Sequence, residues 1–438
     1  MGVIYSKENI ELLTDPKPAR SSLPKRVAKV LYGAVIAVSK RVAFLRRLLR
    51  KMVQKRWTKR YNKLRDTVRT EEKTVLFSAF DGRSYTDSPK AIYLQMLRDP
   101  AYRDYKLVWA FRQPENYVEL LENPNTYLVR IGTAGFEEVC AAAKYWLFNY
   151  RVADHIYPRE DQVYAELWHG TPLKRLGYDI EISDNAMNSK AEIRDKYRVD
   201  AEKFKYLLAP SPFAAEKFES AWNLKAFGKS DTLLIAGYPR NDFLINHTPR
   251  EAQALRERMG LPADKKIILY APTWRDNQHQ AGVGYTYELG VDFEALRAEL
   301  EQEYVILFRA HYLVASQFDF AKFEGFVYNA SNVDDINDLY VIADLLITDY
   351  SSVFFDFANL NRPMLFYMYD REDYGSEIRG FYIDLAELPG PIVEKQEELV
   401  AAIRSARVDP DRYRAFREKF NPLDDGQAAA RVIKAIIQ

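Results

Sequence analysis

From residue 71 onward the sequence alternates short apolar runs with helical stretches, and this alternation restricts the fold more than any other feature. Runs at 74–80, 106–111, 127–131, 145–150, 165–168 and 206–209 form one series. Runs at 232–236, 266–271, 304–308, 326–329, 345–348 and 364–367 form a second. Most are rich in Val, Ile, Leu, Tyr and Phe, lack strict alternation, and are bounded by Gly, Pro, Asp or Ser. Strands buried on both faces of a parallel sheet have this pattern. Intervening segments such as 292–303 and 397–406 carry helical spacing. The expected class is α/β, with two wound sheets joined near residues 235–247. A length of 438 residues also exceeds one ordinary core. The expected domains are 71–235 and 236–438, preceded by an arm over 1–70.

The arm stands out by charge. Residues 20–65 hold sixteen Lys or Arg and no Asp or Glu; the chain's net charge is +1, so the remainder sums to −15. Val27, Val30, Leu31, Val35, Val38, Val42, Leu45, Leu49, Met52 and Val53 recur at three- and four-residue steps, with Arg46, Arg47, Arg50, Lys51, Lys55 and Arg56 between them. This is a basic amphipathic helix, with Gly33 as a point where it can break, suited to an anionic membrane surface. Packing on the protein's own acidic body is the competing reading. A nucleic-acid arm is disfavoured, because aromatic interleaving is thin and no recognition motif accompanies the charge. No stretch reaches the roughly 20 apolar residues of a spanning helix, and residues 1–18 are too polar and acidic for a signal peptide. The expected location is the cytoplasmic face of the membrane, peripherally bound. The single cysteine, Cys140, lies among alanines and reads as a small buried hydrophobe.

Ligands of wound sheets bind beyond the carboxyl ends of the strands, so the residues after each run carry the functional signal. Trp168-His169-Gly170-Thr171-Pro172-Leu173-Lys174 sets a histidine directly after a strand, followed by a glycine, a hydroxyl and a proline suited to a first helical turn. A helix start there would receive phosphate, and a histidine near neutral pKa suits a general base for an alcohol nucleophile. Arg309-Ala310-His311 ends another strand in the other half of the chain. Thr348-Asp349-Tyr350-Ser351-Ser352 leads into a helix carrying Asp356, with two hydroxyls and exposed amides for an anion. Thr273 and Arg240 follow further strands as phosphate or nucleobase contacts. Each motif alone would read as a turn or cap; together they point to a nucleotide diphosphate. His155, His247 and His279 lie in polar contexts and read as surface residues. No acidic or Cys cluster accompanies the histidines, so no metal and no other cofactor is expected. Walker A, dinucleotide-binding and nucleophile-elbow patterns are missing, which disfavours an NTPase, a dehydrogenase or a hydrolase.

These motifs, with Gly237-Tyr238-Pro239-Arg240-Asn241-Asp242 and Ala271-Pro272-Thr273-Trp274-Arg275, resemble the CDP-glycerol glycerophosphotransferase family, the teichoic acid primases and polymerases and their capsule relatives. The resemblance implies a GT-B-like fold, two doubly wound Rossmann-like domains facing a cleft. It implies transfer of glycerol phosphate from CDP-glycerol to a lipid-linked polyol-phosphate acceptor, releasing CMP. On the same basis His169 and His311 are catalytic, with His169 as the base and His311 and Arg309 stabilising the pyrophosphate. Gly170, Thr171, Pro172, Leu173, Arg240, Pro272, Thr273, Arg309, Ala310, Ser351, Ser352 and Asp356 are the expected donor contacts. Residues 82–90 also match, with Lys90 assigned to the acceptor phosphate or to a plain loop. A CDP-ribitol donor, or a nucleotide-sugar donor on the same fold, are the alternative chemistries; a non-catalytic membrane scaffold is the alternative of another kind.

Overall fold

The computed structural model describes residues 3–14, 43–181, 189–273, 279–280, 284–285, 290–310, 318–371 and 380–437. Of the expectations above, His311, Arg275, Gly33 and the part of the basic arm over 15–42 lie outside the described residues. The chain divides into two compact units. One takes in Met1–Tyr85, Met96–Glu166 and Lys203–Lys205, the other Thr86–Gln95, Leu167–Glu202 and Tyr206–Gln438.

In the first unit β1 (Ile4–Tyr5), β2 (Glu71–Ser78), β3 (Lys106–Phe111), β4 (Thr126–Arg130), β5 (Ala143–Phe148) and β6 (Val163–Glu166) lie in the order β1-β4-β3-β2-β5-β6. All neighbours are parallel except β1 with β4. Val75, Leu76, Phe77, Trp109, Phe111, Trp146 and Phe148 are buried, as a sheet covered on both faces requires. Cys140 is fully buried, and burial pushes its thiol pKa up.

The basic segment contributes a helix over Ala43–Thr67 to this unit. Its C-terminal half packs on the protein. Tyr61 is buried, and Arg60 Nη2 bonds Glu137 Oε2 at 2.7 Å. Trp57 sets its ring edge-on to His155, with centroids 5.1 Å apart. His155 is therefore not the surface residue its polar context suggests: it is 8% exposed, and burial lowers its pKa. The competing reading of the arm thus holds for its last turns. Met52 and Trp57 nonetheless stay exposed. No described helix is long and apolar enough to cross a membrane.

In the second unit β7 (Tyr206–Ala209) pairs in parallel with β8 (Leu233–Ile235). The run at 232–236 therefore belongs with its predecessor and does not begin the second sheet. A small antiparallel pair joins β10 (His279–Gln280) to β11 (Gly284–Tyr285). The main sheet holds β9 (Lys266–Ala271), β12 (Tyr304–Phe308), β13 (Val327–Asn329), β14 (Leu345–Thr348), β15 (Met364–Tyr367) and β16 (Ile392–Val393), in the order β13-β12-β9-β14-β15-β16 and all parallel. Counted from its own first strand this is 3-2-1-4-5-6, the Rossmann order, with the switch point beside β9. Ile267, Leu269, Val305, Leu307 and Leu346 feed one core; Ile268, Tyr270, Ile306, Phe308, Leu345 and Ile347 feed the other. The ends of β9, β12 and β14 are the crevice positions, and the second series of motifs sits on those ends.

Candidate active site

The Trp168–Lys174 motif does not open a helix. Thr171, Pro172 and Leu173 belong to no helix, and the first helical turn is a short 3-10 piece at Gly177–Asp179. Backbone pairing with a distant segment is the cause. Tyr382 N–H donates to Leu173 O at 2.8 Å and Arg175 N–H to Gly380 O at 3.0 Å, so that Lys174 faces Phe381 in an antiparallel bridge. The Tyr382 hydroxyl accepts from Leu176 N–H at 3.0 Å and donates to Asp179 Oδ2 at 2.5 Å. Phe381 stacks on Tyr350, with centroids 5.9 Å apart. The phosphate-receiving helix start expected here is replaced by a strap of three residues, Gly380–Tyr382.

The same motif closes against the loop after β14. A Cβ built on Gly170 would lie 2.8 Å from Ser352 Oγ, so the glycine leaves room for the serine side chain against its backbone. The resulting cavity, about 260 Å³, is lined by the motif together with Leu176, Thr273, Tyr350, Ser351 and Ser352. Buried Asp349 accepts from Thr273 N–H at 2.8 Å and from Tyr350 N–H at 2.6 Å, locking the loops after β9 and β14 together. The Thr348 hydroxyl donates to Ala271 O at 2.7 Å just beneath. Pro272 sits between Ala271 and the cavity residue Thr273.

Trp168 adopts φ +51, left-handed backbone in a bulky residue, a conformation that costs on the order of 1–3 kcal/mol. Its indole stacks on the His169 imidazole, centroids 4.4 Å apart and planes 29° from parallel. Trp222 meets its edge at 4.9 Å and Phe218 at 5.9 Å. His169 is exposed while its indole support is half-buried.

Arg309 and Ala310 follow β12, the neighbour of β9. Arg309 Nη1 donates to Ala330 O at 2.9 Å and Val333 O at 2.6 Å, and Ala310 N–H donates to Ser331 Oγ at 3.1 Å. No carboxylate lies within ion-pair distance of Arg309 among the described residues. Burial pulls its pKa down, but a guanidinium stays charged at any working pH.

Two expected donor contacts lie elsewhere. Arg240 and Asp356 are 5% and 6% exposed. Arg240 Nη1 bonds Asp87 Oδ2 at 2.9 Å, and its Nη2 bonds Asp356 Oδ2 at 2.9 Å. Asn241 Nδ2 bonds Asp356 Oδ1 at 3.0 Å and Asp424 Oδ2 at 2.7 Å. The guanidinium also lies 4.3 Å from the Tyr238 ring. Both Nη groups of Arg240 are thus spent on protein carboxylates, and the cluster braces the segments that carry the loops. Lys90 likewise has a protein partner, Asp335 Oδ2 at 2.7 Å; burial pulls its pKa down, but Asp335 with Asp338 and Asp334 leaves it raised.

The structure brings His169, Gly170, Thr171, Pro172, Leu173, Thr273, Ser351 and Ser352 into one cavity. Sequence reasoning missed Trp168, Tyr350, Phe381 and Tyr382 as parts of this region. The first two lie inside motifs already singled out. The last two act through long-range backbone pairing that no local pattern announces.

An exposed histidine and hydroxyls beside the switch point of a Rossmann sheet, in a chain with two parallel sheets, define a GT-B-like transferase. Residues 61–438 match the family described as CDP-Glycerol:Poly(glycerophosphate) glycerophosphotransferase. The chain is 39% identical over 374 residues to the teichoic acid poly(glycerol phosphate) polymerase of Bacillus subtilis (strain 168), covering 84% of this chain and 49% of that one. It is 37% identical over 373 residues to the teichoic acid glycerol-phosphate transferase of Staphylococcus aureus (strain NCTC 8325 / PS 47), covering 83% and 92%. It thus spans about half the length of the first relative and most of the second. The solved structure of the wall teichoic acid polymerase TagF superposes with TM-score 0.76 at 32% identity, over 89% of this chain and 95% of that one. The chain belongs to the CDP-glycerol:poly(glycerophosphate) glycerophosphotransferase family, and it is an enzyme of that kind.

Proposed function

We propose that this enzyme moves glycerol phosphate from CDP-glycerol onto a lipid-linked polyol-phosphate acceptor at the cytoplasmic face of the membrane. The observation that carries the reading is the cavity in which exposed His169 shares a wall with Thr273, Ser351 and Ser352. A ring nitrogen of His169 takes the proton of the acceptor hydroxyl. As the acceptor oxygen bonds the β-phosphorus, the bond from that phosphorus to the bridging oxygen breaks, and its electron pair leaves with CMP. Such transfer depends on positioning and charge neutralisation. Gly170, Thr171, Pro172, Leu173, Pro272 and Thr273 surround the donor, the Ser351 and Ser352 hydroxyls hold its phosphates, Ala310 contributes a donor contact, and Arg309 and His311 take the role of stabilising the pyrophosphate that the family resemblance assigns them. Arg240 and Asp356 act from beneath by bracing the loops.

Membrane attachment falls to residues 20–65. Exposed Met52 and Trp57 share the helix with exposed Lys55, Arg56, Lys59 and Arg60, the mixture of apolar and cationic groups that an anionic leaflet binds. The test is a panel of CDP-glycerol, CDP-ribitol and nucleotide sugars with a lipid-linked acceptor. CMP release from CDP-glycerol, with product mass rising by glycerol phosphate, is the expected result. UDP or GDP release from a sugar nucleotide would replace this reading with a sugar transfer.

A further inference from the structure

We propose that Trp168 is a positioning residue that sets both the orientation and the basicity of His169, an inference that rests on His169 being the base. Three observations carry it. The imidazole lies over the indole, at a 4.4 Å centroid separation and 29° between planes, while remaining exposed toward the cavity. The indole cannot swing away, because Trp222 and Phe218 hold it and Trp222 is itself fixed against Tyr197 at 4.7 Å. The backbone at Trp168 is left-handed, a strained state for a tryptophan that turns residue 169 out of the line of the preceding strand.

The chemistry follows from the electrostatics of an aromatic face. An indole presents negative potential to a cation within about 6 Å of its centroid and interacts more weakly with a neutral ring. The ring must be neutral to act as the base, and in the reaction imidazolium forms as His169 accepts the acceptor's proton. The stacked indole therefore stabilises the state formed as the acceptor oxygen attacks, and it raises the affinity of the ring for that proton. Among the described residues, the other titratable or charged groups on the cavity wall are Lys174, on the same segment, and Tyr350, after β14. Asp349 stands behind them, its carboxylate engaged by the Thr273 and Tyr350 amides. Lys174 opposes a charge on His169, and the stacked indole face favours it.

The experiment measures kcat and KM against pH for the full chain with CDP-glycerol and acceptor, in wild type, Trp168→Phe, Trp168→Leu and His169→Ala. In parallel, the His169 imidazole is titrated by NMR, its signal assigned as the one missing from His169→Ala. Replacing indole by leucine should lower the His169 pKa, and with it the acid limb of kcat, by about half a pH unit. The loss should fall on kcat, and phenylalanine should recover part of both effects. If Trp168→Leu does not fold, the smaller shift in Trp168→Phe decides the matter. An imidazole pKa unchanged in the variants, with activity lost only through KM or yield, overturns the proposal and leaves the base assignment intact. Wild-type activity in His169→Ala would instead remove the base assignment itself.

Discussion

Gly170 and Ser352 meet so closely that a single added carbon on the glycine would lie 2.8 Å from the serine hydroxyl. Two motifs from opposite halves of the sequence thereby close one cavity. Gly170→Ala should lower kcat/KM about tenfold or more, because small displacements at a reacting centre are costly, while the melting temperature moves little. Ser352 Cβ would be 3.5 Å from the new methyl. Removing the hydroxyl in Ser352→Ala therefore relieves the contact, and the double variant should be less impaired than the two single effects combined. Steady-state kinetics on the four-member cycle checks the coupling.

Arg240 holds Asp87 and Asp356 in a buried pairing. Truncating one partner of such a pair leaves charge stranded, at a cost of about 3–5 kcal/mol. Arg240→Met should destabilise the chain by that order in chemical denaturation, with activity lost in proportion to unfolding at the assay temperature. A variant that stays fully folded but fails to bind CDP-glycerol would instead make Arg240 a direct donor contact.

Burial pushes the Asp424 carboxyl up to about 6, against the opposing pull of Asn241, Asn359 and the Tyr238 amide. Its unfolded value is near 4. Between those values the folded chain keeps a proton that the unfolded chain has released, so this group's contribution to stability is full below about 4 and is lost as pH rises through 6. The loss amounts to at most about 3 kcal/mol. Asp424→Asn removes the titration. Its stability relative to wild type should improve from pH 4.5 to pH 8, as read by denaturation midpoints at both values. Parallel curves for the two proteins would contradict this origin.

Tyr382 ties the His169 motif to a segment far along the chain through its hydroxyl bonds to Leu176 and Asp179. Tyr382→Phe should cost about 1–3 kcal/mol, since it strands the part-buried Leu176 amide, while Asp179 keeps the Ser220 hydroxyl at 2.6 Å. It should also raise the KM for CDP-glycerol, because the motif forms one wall of the cavity. Denaturation and initial rates measure the two effects separately.

The second Rossmann sheet was largely legible, because its strands are continuous apolar runs and its functional loops begin with polar residues directly after them. The short strands Ile4–Tyr5 and Ile392–Val393 escaped notice, each being two residues long and fixed by its neighbours. The helix expected after Gly170 failed for a related reason. Pro172 suits a helix start locally, but pairing with Gly380–Tyr382 keeps the backbone out of a helix. Arg240 was legible as an important residue but not as a buried one, since sequence alone cannot reveal that Asp87 and Asp356 converge on it. His155 misled in the same way, its burial depending on Trp57 and Tyr61 of the basic helix. That Thr273, Ser351 and Ser352 share one cavity was readable because the switch point of a wound sheet lies where their strands end.

The proposed role of His169 is to accept a proton from the acceptor as glycerol phosphate leaves CMP. It is tested most directly by single-turnover CMP release from CDP-glycerol with a lipid-linked acceptor, comparing wild type with His169→Ala. A fall of at least about 100-fold in rate with donor affinity preserved is the predicted result. An equal rate in the two proteins would contradict it.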